Sequence, residues 1–159
     1  MKQLNLSSSH YFKSRPTFGG ELNLNKRKSR RPLDSKKPLH IVLRAAGQKP
    51  VFLHQDPLIN KLIEKWSARF KIKIYENSVN ANHLHLVIGF KHRNLYKHFV
   101  CALSGQITQL LKIKWEYRPF TRILEWGRDF KNSCSYVIKN QKEAWGIISY
   151  QTRAKRAPS

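Results

Sequence analysis

Two histidines separated by a single leucine lie in an apolar stretch, Asn82-His83-Leu84-His85-Leu86-Val87-Ile88. Side chains alternate between the two faces of a strand, so His83 and His85 share one face while Leu84 and Leu86 point to the other. Neighbouring positions on one face are about 7 Å apart, so two neutral imidazoles there can bind one metal ion. The alternative is that both are ordinary, half-exposed strand histidines.

A tyrosine and an asparagine further along the chain can complete such a site. Tyr136 and Asn140 are four residues apart in a helix predicted from about Asp129 to Lys142, which puts them on one flank. If this helix lies over the histidine strand, the phenol and the amide oxygen approach the imidazoles together. The predicted site then has His83, His85 and Asn140 as metal ligands and Tyr136 as nucleophile. Otherwise Tyr136 is a boundary tyrosine.

The same helix has an apolar stripe beside that flank. The stripe is predicted to consist of Phe130, Cys134, Val137 and Ile138, and Gln141 falls within it. Asn140 is therefore a better partner for Tyr136 than Gln141 is.

Acidic residues are scarce, and this excludes one class of nuclease. The nine Asp and Glu residues are scattered along the chain without clusters. A nuclease that uses two metal ions needs several carboxylates to hold them. We therefore expect any metal here to be a single ion bound by histidines.

The charge indicates a polyanionic partner. The 159 residues include 31 Lys and Arg, which gives a formal charge of +22. One domain of this length and charge is typical of a protein that binds nucleic acid, since neutralising phosphates supplies most of the non-specific affinity. On charge alone, a ribosome-associated RNA-binding protein remains an alternative.

Basic residues are dense in the N-terminal segment 1–38, which has little hydrophobic periodicity. We expect an extended arm that lies along a phosphate backbone, with aromatic side chains that stack on bases; the alternative is a solvated tail. The predicted phosphate contacts are Lys26, Arg27, Lys28, Arg30 and Arg31. Residues 39–150 are predicted to form the folded domain, and 151–159 a basic tail.

The order of predicted elements gives the fold. Ile72 to Val79 and the histidine strand should pair as a hairpin across a short turn. The other elements are a strand at His40–Arg44, a helix at Pro57–Phe70, a helix from about Asn94 to Lys114, a strand at Phe120–Trp126 and the Tyr136 helix. This is an α+β, ferredoxin-like split β-α-β antiparallel sheet with an extra C-terminal helix. Two helices cover one face, so only the extra helix can cover the histidines.

The chain has no apolar run long enough to span a membrane and no signal peptide, and its two cysteines lack metal-like spacing. We therefore expect a cytoplasmic protein in which both cysteines are buried, free thiols.

Together, these motifs resemble those of a known family. His83-Leu84-His85 preceded by Asn82, with Tyr136-Val137-Ile138-Lys139-Asn140 downstream, resembles the HUH single-tyrosine transposases, and most closely the REP-associated tyrosine transposases. The resemblance covers roughly residues 26 to 150. Further matching stretches are 38–44, 120–127 and 143–146. One departure is Gln141, where many relatives have proline.

The resemblance implies a metal-dependent enzyme that cleaves and rejoins single-stranded DNA near hairpins through a 5′-phosphotyrosine. It implies that Tyr136 is the nucleophile and that His83, His85 and Asn140 hold one Mg²⁺ or Mn²⁺ ion. Arg44 and Arg122 lie in the matching stretches and are expected to contact DNA. The protein is expected to be a monomer or a homodimer. His40 is a candidate base by position only. The alternative is a catalytically inactive protein of the same fold that binds DNA hairpins.

Overall fold

The computed structural model describes the backbone of residues 18–19 and the whole of residues 31–47 and 49–150. The strands are β1 (Phe18–Gly19), β2 (Leu39–Arg44), β3 (Lys73–Val79), β4 (His83–Gly89) and β5 (Phe120–Ile123). The helices are α1 (Asp56–Phe70), α2 (Arg93–Leu111) and α3 (Arg128–Ala144).

The strands form one sheet in the order β1-β5-β2-β4-β3, and every pair is antiparallel. The four long strands with α1 and α2 confirm the predicted ferredoxin-like α+β fold. β1 lies within the segment predicted as an arm, and its two residues pair with Thr121 and Arg122 of β5. Part of that segment therefore extends the edge of the sheet, which the sequence did not predict.

Helices α1 and α2 pack on one face of the sheet over the main core. Leu84, Leu86 and Ile88 of β4 are fully buried in that core, as the alternation predicted. α2 ends earlier than the predicted Lys114, because Lys112 takes a left-handed conformation with φ 52° that closes the last turn.

Helix α3 packs on the opposite face, as predicted, over a small second core. Val137 lies there against Val87 and Leu124. The predicted stripe is wrong at Ile138, which is 40% exposed, whereas Ser133 and Asn140 are buried. Polar side chains, rather than apolar ones, thus occupy part of the buried side of α3.

Within residues 31–47 and 49–150, no helix is long and apolar enough to cross a membrane. The cysteines, Cys101 and Cys134, are both free thiols, but the expectation that they are buried is wrong, because Cys101 is exposed and Cys134 is only half-buried.

Candidate active site

The strand register sets the two histidines of β4 side by side. His85 is paired with Val42 of β2, and His83 with Arg44. The two imidazole rings have centroids 4.9 Å apart at an interplanar angle of 78°. His83 is half-buried, but His85 is only 4% exposed. Helix α3 covers His85, as expected for the extra helix that was predicted to lie over the histidine strand.

A third histidine lies against His85 from the neighbouring strand. His40 is paired with Val87, so it lies diagonally across from His85 on the same face. Nε2 of His40 is 3.1 Å from Nδ1 of His85, and the two rings stack with centroids 5.3 Å apart. Burial, with a smaller contribution from the positive charge of Arg122, lowers the pKa of His40 to about 4. His40 is therefore neutral at pH 7.

The Nδ1 atoms of both β4 histidines have hydrogen-bond partners. Nδ1 of His83 lies 2.9 Å from Oδ1 of Asn82, which can only accept, so this nitrogen carries the proton. Nδ1 of His85 also carries a proton if it donates to Nε2 of neutral His40. Such partners fix the tautomer and orientation of metal-binding histidines. A metal held by these rings would therefore coordinate through Nε2.

Helix α3 brings Tyr136 to the histidines. The phenol ring meets His85 edge-on, with centroids 5.6 Å apart and an interplanar angle of 84°. Its centroid is 6.2 Å from that of His40. Tyr136 is 38% exposed, so a substrate can reach the phenol. The structure thus brings Tyr136 of α3 together with His83 and His85 of β4.

Hydrogen bonds fix α3 near both of its ends. Near the start, Arg122 donates to Asp129 over 2.6 Å, and the second carboxylate oxygen of Asp129 accepts from the Glu125 amide. Near the end, Oε1 of Gln141 accepts from the backbone amide of Val79 over 2.7 Å. Gln141 is the residue that departs from the family pattern, and it connects α3 to the end of β3.

Asn140 is the third predicted metal ligand and lies on α3 with Tyr136. It is buried at 5% exposure, one helical turn beyond Tyr136, but it does not line the cleft beside the imidazoles. In the described part of the chain, no three His, Cys, Asp or Glu side chains are grouped to hold a metal. The two imidazoles fit an ion that takes further ligands from a substrate phosphate and water, and their nitrogen atoms favour Mn²⁺ over Mg²⁺ in affinity. Asn140 stays a predicted ligand.

An open cleft of about 230 Å³ lies beside these rings. It is lined by Val42, Arg44, His83, His85, Tyr117, Arg118, Phe120 and Tyr136. Sequence reasoning did not select Tyr117 and Arg118, which lie between α2 and β5. A basic and an aromatic residue next to Pro119, directly before a strand, were the available signal for a phosphate- and base-contacting loop.

The predicted DNA contacts fall in different environments. Arg44 lines the cleft with an exposed side chain. Arg122 is paired with Asp129. Arg31 donates to the backbone carbonyl of Pro119 and to the hydroxyl of Thr121, so it fixes the polypeptide on the sheet edge. The other predicted contacts lie outside the described residues: Lys26, Arg27, Lys28 and Arg30.

Comparison with known families agrees with this geometry. The family model of IS200-like transposases matches residues 35–145, which span every element from β2 to α3. The chain belongs to the IS200-like transposase family. Membership in this family indicates that the protein is a transposase and therefore an enzyme that cleaves DNA. The resemblance drawn from His83, His85 and Tyr136 is therefore confirmed at the level of the family.

Two solved structures are similar to this one. A REP-associated tyrosine transposase bound to a REP hairpin matches with a TM-score of 0.58 and 14% identity, covering 75% of each chain, which supports the fold. A candidate transposase from Deinococcus radiodurans matches with a TM-score of 0.47 and 15% identity, covering 72% of this chain and 97% of the other. Comparison with curated proteins found no match.

Proposed function

We propose that this transposase cleaves and rejoins single-stranded DNA through a covalent bond to Tyr136, in a reaction that needs one Mg²⁺ or Mn²⁺ ion. The observation that carries the proposal is the position of the phenol ring, edge-on to His85 at 5.6 Å in an open, basic cleft. A tyrosine with a purely structural role would need neither a neighbouring pair of histidines nor access from solvent.

In the proposed reaction, Oη of Tyr136 attacks the phosphorus of a DNA phosphodiester. The new bond joins Oη to phosphorus, and the bond from phosphorus to the 3′ oxygen breaks. The phenol loses its proton and the departing 3′ oxygen gains one. The products are a 5′-phosphotyrosine and a strand with a free 3′-hydroxyl, which can later attack the phosphotyrosine and rejoin the DNA.

Nε2 of His83 and of His85, with Asn140 as the expected third donor, would hold the metal. When bound there, the ion polarises the scissile phosphate and stabilises the charge that develops on it. His40 and Asn82 orient the two imidazoles through their Nδ1 atoms. The hydrogen bonds of Asp129 and Gln141 hold α3, and with it Tyr136, over the strand.

Arg44 and Arg118 supply positive charge at the wall of the cleft. Guanidinium groups there can bind the phosphates next to the scissile one and hold the strand in line with Tyr136. The structural relative that was solved with a hairpin suggests that the DNA partner here also includes a hairpin beside the single strand.

The second candidate is a DNA-hairpin-binding protein of this fold that has lost activity. It would need the basic surface but not the contact between Tyr136 and His85. The presence of the histidine pair, the phenol and the cleft in one place favours the enzyme.

A cleavage assay tests the proposal. Labelled hairpins with single-stranded flanks, taken from the DNA around its own gene, are incubated with the protein in Mn²⁺ or Mg²⁺. We expect cleavage by the wild type, none with excess chelator, and loss of at least a hundredfold in His83→Ala or His85→Ala. His98→Ala, on α2 at the opposite face, is the matched control and should stay active. Full activity of both His83→Ala and His85→Ala, or of the wild type in excess chelator, would contradict the metal-dependent mechanism.

A further inference from the structure

A second pocket, of about 550 Å³, lies between the start of α1, the turn from β3 to β4 and the end of α3. This volume is within the range of pockets that bind small organic groups. The loop before α1 is fixed to the turn, because the amide of Phe52 donates to the carbonyl of Ala81 over 2.9 Å. The pocket is therefore built by three connected segments and is not a gap beside a loose loop.

Trp145 forms one wall of this pocket and is 60% exposed. Its indole nitrogen donates to Oδ2 of Asp56 over 2.6 Å, which fixes the ring at the end of α3. Leu53 and Pro57 add apolar surface to the same pocket, and Leu53 is 46% exposed. An oriented, solvent-exposed indole beside apolar side chains is suited to stacking with a flat aromatic group.

The polar groups of the pocket would discriminate between flat groups. Among the described residues, Trp145 and Gln141 donate hydrogen bonds to the Asp56 carboxylate, and both bonds end on Oδ2. Oδ1 can therefore accept a hydrogen bond from an amino group in the pocket. Asn80 also lines the pocket, and its side-chain nitrogen has no hydrogen-bond partner among the described residues. This nitrogen is buried, so only a rotation of the amide would bring it to a ring carbonyl in the pocket.

The pocket lies close to the proposed catalytic cleft. The amide of Asn80 donates to the carbonyl of His83, so the two sites share the turn from β3 to β4. Tyr136 is on α3 and Trp145 directly follows its last residue, so the two are about 14 Å apart along the helix axis at 1.5 Å per residue. A single strand of DNA bridges this distance with a few nucleotides. The net charge of +22 also favours a polyanionic occupant.

We propose that this pocket binds one unpaired nucleobase of the DNA strand, stacked on Trp145, and that Asp56 selects a base with an amino group. Cytosine carries such a group together with a ring carbonyl, whereas thymine has a carbonyl in its place. The pocket would then select the sequence a short distance from the phosphate that Tyr136 attacks. This inference rests on the proposed function for the presence of DNA, but not on any chemistry at Tyr136.

The first test measures stacking. Binding of oligodeoxycytidylate and of oligothymidylate of equal length is measured without divalent metal, in a Tyr136→Phe background, so catalysis plays no part. We expect Trp145→Ala to weaken oligodeoxycytidylate binding about tenfold, since one stacked base contributes about 1–3 kcal/mol. Trp145→Phe should stay within a few-fold. Trp126→Ala is the control, because Trp126 is also exposed but does not line the pocket.

The second test measures base selection. Oligodeoxycytidylate should bind several-fold more tightly than oligothymidylate, and Asp56→Asn should remove this difference while oligothymidylate binding stays nearly unchanged. Binding should also quench tryptophan fluorescence in the parent protein, and less so in Trp145→Phe. Thermal unfolding of each variant, followed by circular dichroism, identifies any loss of fold.

Equal affinity of folded Trp145→Ala and its parent would overturn the proposal. So would a parent protein that does not distinguish the two oligonucleotides, or an Asp56→Asn variant that still does. If the protein prefers oligodeoxycytidylate and shows the quenching but cleaves DNA in no metal, the base-binding pocket is supported and the proposed cleavage reaction is contradicted. Self-association through the pocket would instead appear as a dimer without DNA that Trp145→Ala disrupts, which also overturns the proposal.

Discussion

Nε2 of His40 lies 3.1 Å from Nδ1 of His85, and this contact joins two strands at the candidate active site. The position suggested His40 as a base, but its environment favours another role. Its ring is buried, neutral and directed at a histidine rather than at solvent. We therefore propose that His40 orients the His85 ring and that, if Nδ1 of His85 donates to it, Nε2 of His85 is the nitrogen that would bind a metal.

Replacing His40 should therefore weaken metal binding. We expect His40→Leu to lower Mn²⁺ affinity by about 10- to 100-fold, because the partner that orients His85 is lost. His40→Gln carries a side-chain amide near the position of Nε2 and should retain most of the affinity. Titration calorimetry measures both variants. Equal affinities in His40→Leu and the wild type would contradict the orienting role.

The low pKa of His40 predicts a pH dependence of folding stability. Its pKa falls from 6.5 to about 4 on folding, so between these values the unfolded chain binds a proton that the folded chain does not. The stabilisation linked to neutral His40 is therefore complete above pH 6.5 and is lost as the pH falls towards 4. The free energy of unfolding should decrease by roughly 3 kcal/mol at most over this range. Urea unfolding at several pH values should show the stability of wild type falling towards that of His40→Gln as the pH decreases. A constant difference between the two would contradict the prediction.

Gln141 should stabilise the docking of α3. It accepts the hydrogen bond of the Val79 amide and donates to Asp56. Gln141→Leu has similar volume but leaves that buried amide unpaired, so it should cost about 1–3 kcal/mol of unfolding free energy and lower the cleavage rate. The neighbouring Lys142→Gln, at an exposed position, is the control. A thermal midpoint in Gln141→Leu equal to that of the control would show that the contact contributes nothing.

Periodicity predicted the parts of the site that depend on one element. Alternation along β4 put His83 and His85 on one face, and the order of elements left only α3 to cover them. Helical spacing put Tyr136 on the flank of α3 that can face the histidines, and the family pattern agreed with this choice. These relations follow from local geometry or from topology, both of which the sequence expresses directly.

Relations that depend on the packing of several elements were not predicted. The strand register decides that His40 lies diagonal to His85, and no local pattern encodes it. The rotation of α3 about its axis buries Ser133 and exposes Ile138, because polar contacts with the sheet outweigh the apolar stripe. Arg118 is on a loop without periodicity, so its place in the cleft became visible only in the fold.

We expect DNA binding to depend strongly on salt, because the N-terminal basic residues are predicted to contact phosphates. Replacing Lys26, Arg27, Lys28 and Arg30 with glutamine should weaken binding and lower the log–log salt slope by up to roughly 3 units, because each lost phosphate contact on a single strand removes about 0.7. The control replaces four exposed basic residues on the helices of the opposite face: Lys61, Lys65, Arg69 and Lys97. An equal change of slope in both variants would indicate a diffuse effect of charge and not an arm that contacts DNA.

The most direct test of the account is the position of the covalent bond. A single-stranded hairpin labelled at its 3′ end is incubated with the protein in Mn²⁺, and the labelled adduct is digested and mapped by mass spectrometry. We predict a nucleotide on the peptide that contains Tyr136, a free 3′-hydroxyl on the released fragment, and no adduct from Tyr136→Phe, which should bind the same DNA nearly as well. Tyr117→Phe, the other tyrosine of the cleft, should still form the adduct. An adduct that persists in Tyr136→Phe, or that maps to another residue, would contradict the assignment of Tyr136 as the nucleophile.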